Sequence, residues 1–423
     1  MADASPPPAG RGRIFAWTLF DFANTAFSVI IVTVVFSRYF TAHVAGGRQW
    51  LWGLAVSISM VCSALLSPPL GAAADYSHNR KRFLLLFTLV CVAATGALFF
   101  VQEGMVLAGI ILFVVANVGF EGGLVFYDAF LPGITSRSSY GRVSGYGFAM
   151  GYLGALAVLL IVYVVLPDQA HPEYLWWVRF SFVIAAAFFL AFSLPLFAFV
   201  PEVHNHPRLS TSYLREGIRR SAATFRSLFV RRENPTVARF LLAFFLYNDG
   251  IVTVIMFAGI FAGSILKMSD RDIIMFFAIV QTSAIIGSLV FGVVTDKIGP
   301  KRTITFTLVL WIAICAAAYT VASVAAFYAV ALTAGVAIGS SQSASRSLMA
   351  LLTPREREAE YFGFYDGLCG KASAIVGPLI YGYIADVTGA RVAVLVIGLF
   401  FVAGLLLLQG VEAPAHGASA RRS

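Results

Sequence analysis

Charged side chains are scarce in this sequence. Only 12% of its 423 residues are Asp, Glu, Lys or Arg, while 59% are hydrophobic and the mean hydropathy is +0.83. A water-soluble domain carries roughly 25% charged residues, so this composition excludes a soluble globular surface. The chain is therefore expected to lie largely within a lipid bilayer.

The sequence also has few side chains suited to metal binding or covalent catalysis. Its four cysteines all lie in apolar segments, where they pack as small apolar side chains more readily than they form disulfides. The six histidines lie in loops and tails, and only His204 and His206 are close together. No zinc-protease helix motif, phosphate loop or plausible Ser and His pair occurs. We predict a protein that is not an enzyme and that binds no metal or organic cofactor.

Long apolar segments, by contrast, occur twelve times. Each can supply the roughly 20 residues that a helix needs to cross a hydrocarbon core about 30 Å thick. They are too long for the strands of a membrane barrel and show no alternation of period two, which indicates helices. The segments lie at about 14–42, 50–74, 83–101, 105–130, 143–166, 175–200, 237–264, 273–295, 303–323, 325–352, 362–387 and 391–411.

The basic residues indicate how these helices are oriented. Outside the apolar segments, the side opposite to the termini holds only four of the 30 Lys and Arg residues: Arg48, Lys267, Arg271 and Arg391. Because Lys and Arg collect on the cytoplasmic side of membrane proteins, both termini are predicted to be cytoplasmic. We expect a multi-pass protein of a bacterial cytoplasmic (inner) membrane, and the net charge of +9 requires no nucleic-acid partner.

The longest polar stretch, residues 201–236, divides the chain in two. Apolar residues recur there at helical spacing from Leu214 to Phe229, with arginines elsewhere around the helix. We expect an interfacial helix whose basic face meets anionic lipid headgroups and whose apolar face meets the acyl chains. The predicted boundaries are an N-terminal tail 1–13, a six-helix bundle 14–200, the linker 201–236, a second bundle 237–411 and a tail 412–423.

The two halves repeat a loop motif. It comprises Gly71, Asp75, Arg80 and Lys81 after the second segment, and Gly292, Asp296, Lys301 and Arg302 after the eighth, at the same spacing. The glycine is expected to let a neighbouring helix approach closely, the aspartate to accept hydrogen bonds from the N-terminus of a facing helix, and the cations to stay at the headgroups. Such a latch would favour one conformation of a transport cycle; the alternative is ordinary charge that sets topology. The predicted fold class is an all-α membrane protein with two six-helix pseudo-repeat bundles, as in transporters that rock around a central site.

Polar and ionisable residues inside the apolar segments form the candidate site. A charge in the bilayer interior costs at least about 2.5 kcal/mol on insertion scales, so each one requires a reason. They concentrate on the first and fourth helices of the first half and on the seventh, tenth and eleventh helices. The candidate substrate- or proton-binding residues are Asp21, Asn24, Glu121, Tyr127, Asp128, Asn248, Asp249, Gln342, Arg346, Asp366 and Lys371. This distribution indicates a water-filled cavity between the halves; the alternative is a set of structural contacts between helices.

Spacing and chemistry refine this prediction. Asp366 and Lys371 lie five residues apart, about 140° around an α-helix, so we expect each to pair with another helix more than with its neighbour. A carboxylate in a low-dielectric cavity holds a proton more readily than one in water. We expect Arg346 and Lys371 to attract an anionic group of the solute. The coupled proton is expected on one of four carboxylates, those of Asp21, Glu121, Asp128 and Asp249.

Several runs of sequence resemble one branch of the major facilitator superfamily. They are Phe20–Phe27, Phe126–Pro132, Leu246–Gly250, Ser341–Ser347, and Gly370 and Lys371 with Gly377 and Pro378. The branch is the autophagy-related vacuolar amino-acid effluxer family with its bacterial relatives, and the similarity extends from Trp17 to about Gly389. It implies a secondary transporter without nucleotide hydrolysis and, in the vacuolar members, export of amino acids into the cytosol. Asp128 and Asp366 stand where we expect the family to show a neutral residue, which implies a different coupling ion or solute charge.

The predicted function is secondary active transport of a small polar solute, such as an amino acid or related zwitterion, by proton-coupled alternating access. Two alternatives stay open. A drug or multidrug efflux carrier would need mainly aromatic walls and one acid, and a transporter-like sensor would bind solute without moving it. The expected partners are the solute and the bilayer, with anionic lipids at the linker helix and no nucleic acid, and the chain is expected to be a monomer.

Overall fold

Twelve helices long and apolar enough to cross a membrane lie within the described part of the chain. The structure is a computed structural model that describes residues 10–167, 170–201, 211–266, 268 and 270–412. The described residues do not include Lys267, the pair His204 and His206, or most of both tails. The helices, named spans 1 to 12, are Arg11–Val44, Trp50–Ser77, Arg80–Phe100, Val106–Ile134, Arg137–Val165, Tyr174–Phe199, Pro235–Ala258, Phe276–Ile298, Pro300–Thr320, Val324–Leu352, Glu358–Ala385 and Ala390–Gln409. The predicted all-α membrane architecture is confirmed.

Short turns connect the spans on the side of the bundle that carries both chain ends, called the terminal side below. Between spans 2 and 3, His78 adopts a left-handed conformation with φ 51°. Between spans 8 and 9, Gly299 has φ 91° and Pro300 follows as the first helical residue, where its missing N–H costs nothing. The Asn234 side chain accepts a hydrogen bond from the Val237 N–H and caps span 7, whose helix continues to Ile265. Several helices extend a turn beyond the predicted apolar segments because a helix need not end where the hydrocarbon ends.

Irregular helix geometry is concentrated in spans 1, 2 and 11. Span 1 contains two π-helical stretches, Ser28–Val34 and Phe40–Val44, and span 11 contains a third, Gly363–Gly370. Span 2 carries the adjacent prolines Pro68 and Pro69 inside its helix. A π-helix has i to i+5 hydrogen bonds and is rare, so each such stretch re-aims the side chains that follow it.

Small residues bring spans of the two halves into close contact. A Cβ atom placed on Gly145 of span 5 would lie 2.3 Å from the Ser288 carbonyl oxygen of span 8. Such a distance is far below van der Waals contact, so only glycine fits there. The first and second halves therefore meet backbone to backbone along this seam.

The linker forms the amphipathic helix Thr211–Phe225, which a π-helical turn extends to Val230. It docks on the terminal end of span 2 through Gly217, where a Cβ atom would lie 2.4 Å from the Pro69 carbonyl oxygen. Ser221 and Thr224 are buried on the same face, whereas Ile218 and Phe225 of the apolar stripe stay 59% and 46% exposed. The linker helix thus packs on span 2 through neither its predicted apolar face nor its basic face. It packs through a separate face of small and polar residues, which the spacing of its apolar residues does not predict.

Candidate functional site

A polar cavity of about 340 Å³ lies between the two halves of the bundle. Spans 1, 4 and 5 of the first half and spans 7, 10 and 11 of the second half form its wall. The predicted residues that line it are Asp21, Asn24, Asp128, Asn248, Gln342, Arg346, Asp366 and Lys371. The other three candidates, Glu121, Tyr127 and Asp249, do not line its wall.

Arg346 of span 10 connects the two halves at this cavity. Its Nη1 lies 3.3 Å from Asp21 Oδ2 and its Nε lies 3.0 Å from Asp128 Oδ1. The Tyr127 hydroxyl donates to Asp21 Oδ2 at 2.8 Å, and Asn24 donates to Asp21 Oδ1 at 3.4 Å. The side chains of Arg346 and its two acids are at most 7% exposed, so their charges interact in a poorly screened environment.

Aromatic rings hold this cluster from two sides. Trp17 stacks on Tyr127 with ring centroids 4.6 Å apart, and its Nε1 donates to the Tyr127 carbonyl oxygen at 3.1 Å. The Arg346 guanidinium lies 3.9 Å from the centre of the Phe148 ring, close enough for a cation–π contact. Neither Trp17 nor Phe148 was among the predicted site residues. Trp17 lies one helical turn before Asp21 and could have been found from that spacing, whereas no local pattern marks Phe148.

Lys371 of span 11 forms a second ion cluster. Its Nζ contacts the Glu121 carboxylate of span 4 and lies 3.4 Å from Asp366 Oδ2 on its own helix. Lys371 pairs with another helix as expected, but the expectation that Asp366 would also pair with another helix more than with Lys371 is wrong. They are joined because Gly363–Gly370 is π-helical, and residues five apart lie on one face of a π-helix.

The two clusters contain more acids than bases. Four carboxylates surround the two cations, so full ionisation would leave two net negative charges: the acids are Asp21, Glu121, Asp128 and Asp366. That Arg346 and Lys371 attract an anionic group of the solute stays a prediction. Each already contacts two carboxylates, and an incoming anion would have to displace one of them. Because an uncompensated buried charge is costly, the excess of acid favours bound protons or a cationic group.

Asp249 lies away from the polar cavity. It is fully buried, and both of its carboxylate oxygens lie 2.8 Å from the Gly377 N–H of span 11, immediately before Pro378. Asn248 lines the cavity wall, whereas the adjacent Asp249 does not. Asn248 faces the cavity and donates to the Ser373 hydroxyl at 2.6 Å. Asp249 therefore lies outside the wall of this cavity, and a role for it in proton binding stays a prediction.

Asp75 joins the two halves on the terminal side. Its carboxylate oxygens accept hydrogen bonds from the backbone N–H groups of Ala359 at 3.1 Å and Glu360 at 2.8 Å, at the start of span 11. An acid at a helix N-terminus is favoured by the helix dipole. Arg80 lies between Asp75, at 2.6 Å, and Glu358.

Asp296 makes the matching contact in the second half. It accepts hydrogen bonds from the N–H groups of Gly141 at 2.8 Å and Arg142 at 3.1 Å, at the start of span 5. Both aspartates thus contact the N-terminus of a helix in the opposite half. That these contacts act as a conformational latch stays a prediction.

The cations of the two loop motifs do not match each other in the predicted order, because the correspondence is shifted by one residue. Lys81 Nζ donates to the Val200 carbonyl at the end of span 6, and Lys301 Nζ donates to the Gln409 carbonyl at the end of span 12, at 2.6 and 2.8 Å. Lys301 therefore matches Lys81 and not Arg80, because span 9 starts one residue earlier relative to its aspartate. Arg302 is exposed, as expected for a cation at the headgroups. Arg80 instead points inward toward Asp75, so the expectation is wrong for Arg80.

The two motif glycines lie where backbones of the two halves approach closely. A Cβ atom on Gly71 would lie 2.2 Å from the Ala359 carbonyl oxygen, and one on Gly292 would lie 2.9 Å from the Gly141 carbonyl oxygen. Both contacts join one half to the other. With the aspartate contacts, they join the two halves on the terminal side.

A second cavity, of about 180 Å³ and almost entirely apolar, adjoins the polar one. Tyr152 and Gln342 line both cavities, and the Tyr152 hydroxyl donates to Gln342 Oε1 at 2.5 Å. Aromatic rings of the second half dominate its wall, among them Phe257 and Tyr381, whose ring centroids are 4.1 Å apart. This cavity was not predicted from the sequence, because its residues have the composition of ordinary apolar helices.

Comparison with known proteins identifies the family. The family model described as "Vacuole effluxer Atg22 like" matches residues 52–141 and 135–417. YxiO of Bacillus subtilis, an uncharacterised MFS-type transporter, is 30% identical over 413 residues, covering 94% of each chain. Autophagy-related protein 22 of Yarrowia lipolytica is 25% identical, covering 78% of this chain and 70% of that protein.

Solved structures show the same fold. The proton:xylose symporter XylE superposes with a TM-score of 0.74 at 16% identity, covering 95% of this chain and 96% of that chain. The human organic anion transporter MFSD10 gives a TM-score of 0.74 at 15% identity, covering 95% and 100%. The resemblance noted from the sequence is confirmed: the chain belongs to the Atg22-like family and is a transporter of the major facilitator superfamily, not an enzyme.

Proposed function

We propose that this transporter moves a small polar solute by alternating access, driven by a proton gradient. The observation that carries the proposal is the central ion cluster. Acids of the first half, Asp21 and Asp128, meet a base of the second half, Arg346, in one buried cavity. A bond between the halves that depends on ionisation would link proton binding to their relative movement.

The proposed cycle uses the competition for Arg346. A proton on Asp128 or Asp21 removes part of the attraction that holds Arg346 against the first half. Removing the sole partner of a buried ion costs about 3–5 kcal/mol. Arg346 keeps its second acid, so the change is smaller, but even about 1–3 kcal/mol shifts a two-state equilibrium roughly 5- to 150-fold.

The preferred solute class is an amino acid or related zwitterion. Its ammonium group would meet the excess acid around Asp366 and Asp128, and its carboxylate would replace one of the acids on Arg346. The name of the matched family describes vacuole effluxers and supports transport of a solute without naming it, and the proton symport named for XylE shows that proton coupling occurs in this fold.

We also propose that the terminal side is the cytoplasmic side of a bacterial inner membrane. The distribution of Lys and Arg supports this orientation. The exposed Arg215 and Arg219 of the linker helix would then face anionic headgroups. Hydrogen bonds from Arg219 and Arg220 lower the pKa of Glu216 to about 2, so the helix keeps this internal ion pair at any physiological pH. The headgroup contact is tested by placing the parent and Arg215→Gln in vesicles with and without phosphatidylglycerol. The linker helix of the parent should associate with the lipid surface more strongly when phosphatidylglycerol is present, and Arg215→Gln should reduce this difference.

Transport in proteoliposomes tests the main proposal. Uptake of a solute panel is measured with and without an imposed pH gradient for Asp21→Asn, Glu121→Gln and Asp128→Asn. At least one of these variants should lose the dependence on the gradient while counterflow, which needs no gradient, continues. Asp249→Asn is the matched control, because Asp249 belongs to neither ion cluster and should keep its gradient dependence. Unchanged gradient dependence in all three cluster variants would refute the coupling.

The apolar cavity favours a second candidate, efflux of an amphipathic drug. A dry apolar cavity of about 150 Å³ is large enough to bind benzene, and this one is comparable in size. A thermal-shift screen against amino acids, sugars, organic acids and cationic drugs separates the two candidates. Stabilisation by cationic drugs alone would favour efflux, and binding without counterflow would favour a sensor.

A further inference from the structure

Span 11 contains an ion pair that only its π-helical form permits. Asp366 and Lys371 are five residues apart, which in an α-helix places them about 140° from each other. Asp366 lies in the π-helical stretch Gly363–Gly370 and Lys371 follows that stretch directly, so the two side chains come to one face and Lys371 Nζ lies 3.4 Å from Asp366 Oδ2. A π-helix is less favourable than an α-helix and needs a compensating contact, which this ion pair supplies.

The same stretch lies on the seam between the halves. Gly363 and Gly367 face span 2, where Cβ atoms on them would lie 2.8 Å from Pro68 Cα and 2.1 Å from Ser67 Cβ. If the stretch changed to α-helical register, residues would turn by about 100° and larger side chains would replace these glycines at the seam. Spans 2 and 11 would then have to separate.

The N-terminal end of span 11 lies on the terminal side of this seam, and it contacts Asp75. Ala359 and Glu360, which donate to Asp75, lie in the α-helical turn Glu358–Phe362 directly before the π-helical stretch. Glu358 in the same turn contacts Arg80. A change in the π-helical stretch would therefore rotate the helix end that these residues hold.

From this geometry we propose that Asp366 is a positioning residue that couples the polar cavity to the terminal-side contacts. Its charge holds Lys371 and thereby the π-helical form of span 11, and its neutralisation by a proton or by a cationic group of the solute frees the helix to separate from span 2. Lys371 keeps Glu121 as its partner when this happens, so no lone buried cation is left. This inference adds a control element to the proposed proton-coupled transport but does not require that transport be proton-coupled.

Asp366 lies among other ionisable groups that the test must separate. Glu121 and Asp128 face it from span 4, Arg346 faces it from span 10, and Tyr365 and Lys371 belong to its own helix. Its carboxylate lines the polar cavity and is 22% exposed, whereas the Glu121 side chain is 7% exposed and does not line it. Asp366 is thus the partner of Lys371 that a solute or a proton reaches first.

Distances between spin labels test the inference without any solute. Labels are placed on exposed residues of the two halves on the terminal side, Ser138 and Arg302, after the four native cysteines are replaced by alanine. Acidification from pH 8 to pH 5 should raise the population of long distances in the parent protein. Asp366→Asn should show that population at both pH values, at least tenfold above the parent at pH 8. Asp366→Glu, which restores the charge, should bring back both the short distance and its pH dependence.

One control variant and one replacement variant keep the result interpretable. Glu103→Gln, in the exposed loop between spans 3 and 4, removes an acid far from span 11 and should behave like the parent. If Asp366→Asn does not fold, Asp366→Ala, which also removes the charge, is measured in its place. Distances in the charge-removing variant that match the parent at pH 8 would overturn the inference. Because no transport is measured, a failure here is distinguishable from a failure of the carboxylate variants in proteoliposomes.

Discussion

Replacement of Gly71 by alanine should open the terminal side of the transporter. The new Cβ atom would lie 2.2 Å from the Ala359 carbonyl oxygen and 2.6 Å from its carbonyl carbon. Both are backbone atoms, so no side-chain rotation relieves the overlap. Spans 2 and 11 must move apart by roughly an ångström or lose the contact altogether.

The size of the effect follows from the cost of overpacking. One extra methyl group in a tightly packed site costs about 1–3 kcal/mol. The cost applies only to the conformation in which spans 2 and 11 touch, so the equilibrium should shift roughly 5- to 150-fold toward conformations open on the terminal side. Gly292→Ala should act in the same direction but less strongly, because its nearest contact would be 2.9 Å.

Span 2 offers a matched control for this experiment. A Cβ atom on Gly53, in the same helix, would meet nothing within 4 Å. With spin labels at Ser138 and Arg302, Gly71→Ala should lengthen the distance between the halves and Gly53→Ala should leave it unchanged. Identical distance distributions for the two variants would refute the idea that close approach at Gly71 closes the terminal side.

Three further predictions concern other contacts. Arg346→Lys should abolish transport although it keeps the charge, because a lysine cannot reach Asp21 and Asp128 from two nitrogen atoms as Arg346 does; transport at the parent rate would contradict this. Asp249→Leu should lower the free energy of unfolding by about 1–3 kcal/mol, measured by denaturant titration in micelles, because the Gly377 N–H loses its partner; a change within error would show that the N–H finds another acceptor. Gly217→Leu should detach the linker helix from span 2 and speed its cleavage by protease, and protection equal to the parent would contradict the docking seen at Pro69.

The sequence predicts the membrane architecture well because hydropathy and helix length act locally. Most of the polar candidates proved to line one cavity for a related reason. A charged side chain within a bilayer must face protein or water, so residues such as Asp21 and Arg346 reveal the cavity without any knowledge of the packing. The parallel loop motif likewise placed Asp75 and Asp296 at equivalent helix ends.

The differences from prediction arise where the geometry of the backbone decides. Asp249 lies outside the cavity wall, and helical periodicity alone does not tell which of two adjacent polar residues faces the cavity. The pairing of Asp366 with Lys371 depends on a π-helical stretch that no spacing rule for α-helices describes. The matching of Arg80 with Lys301 failed because the turn between spans 8 and 9 is one residue shorter than its counterpart.

The central claim is that the polar cavity between the halves is wet and accessible to solute. In the protein without native cysteines, Ser345→Cys places a thiol in the cavity wall, and Ala329→Cys places one on the exposed, lipid-facing surface of the same helix. A membrane-impermeant thiosulfonate reagent added on the side opposite to the termini should modify Ser345→Cys within minutes, and bound solute should slow that reaction, while Ala329→Cys stays unmodified. Absence of modification of Ser345→Cys from either side of the membrane would contradict the account.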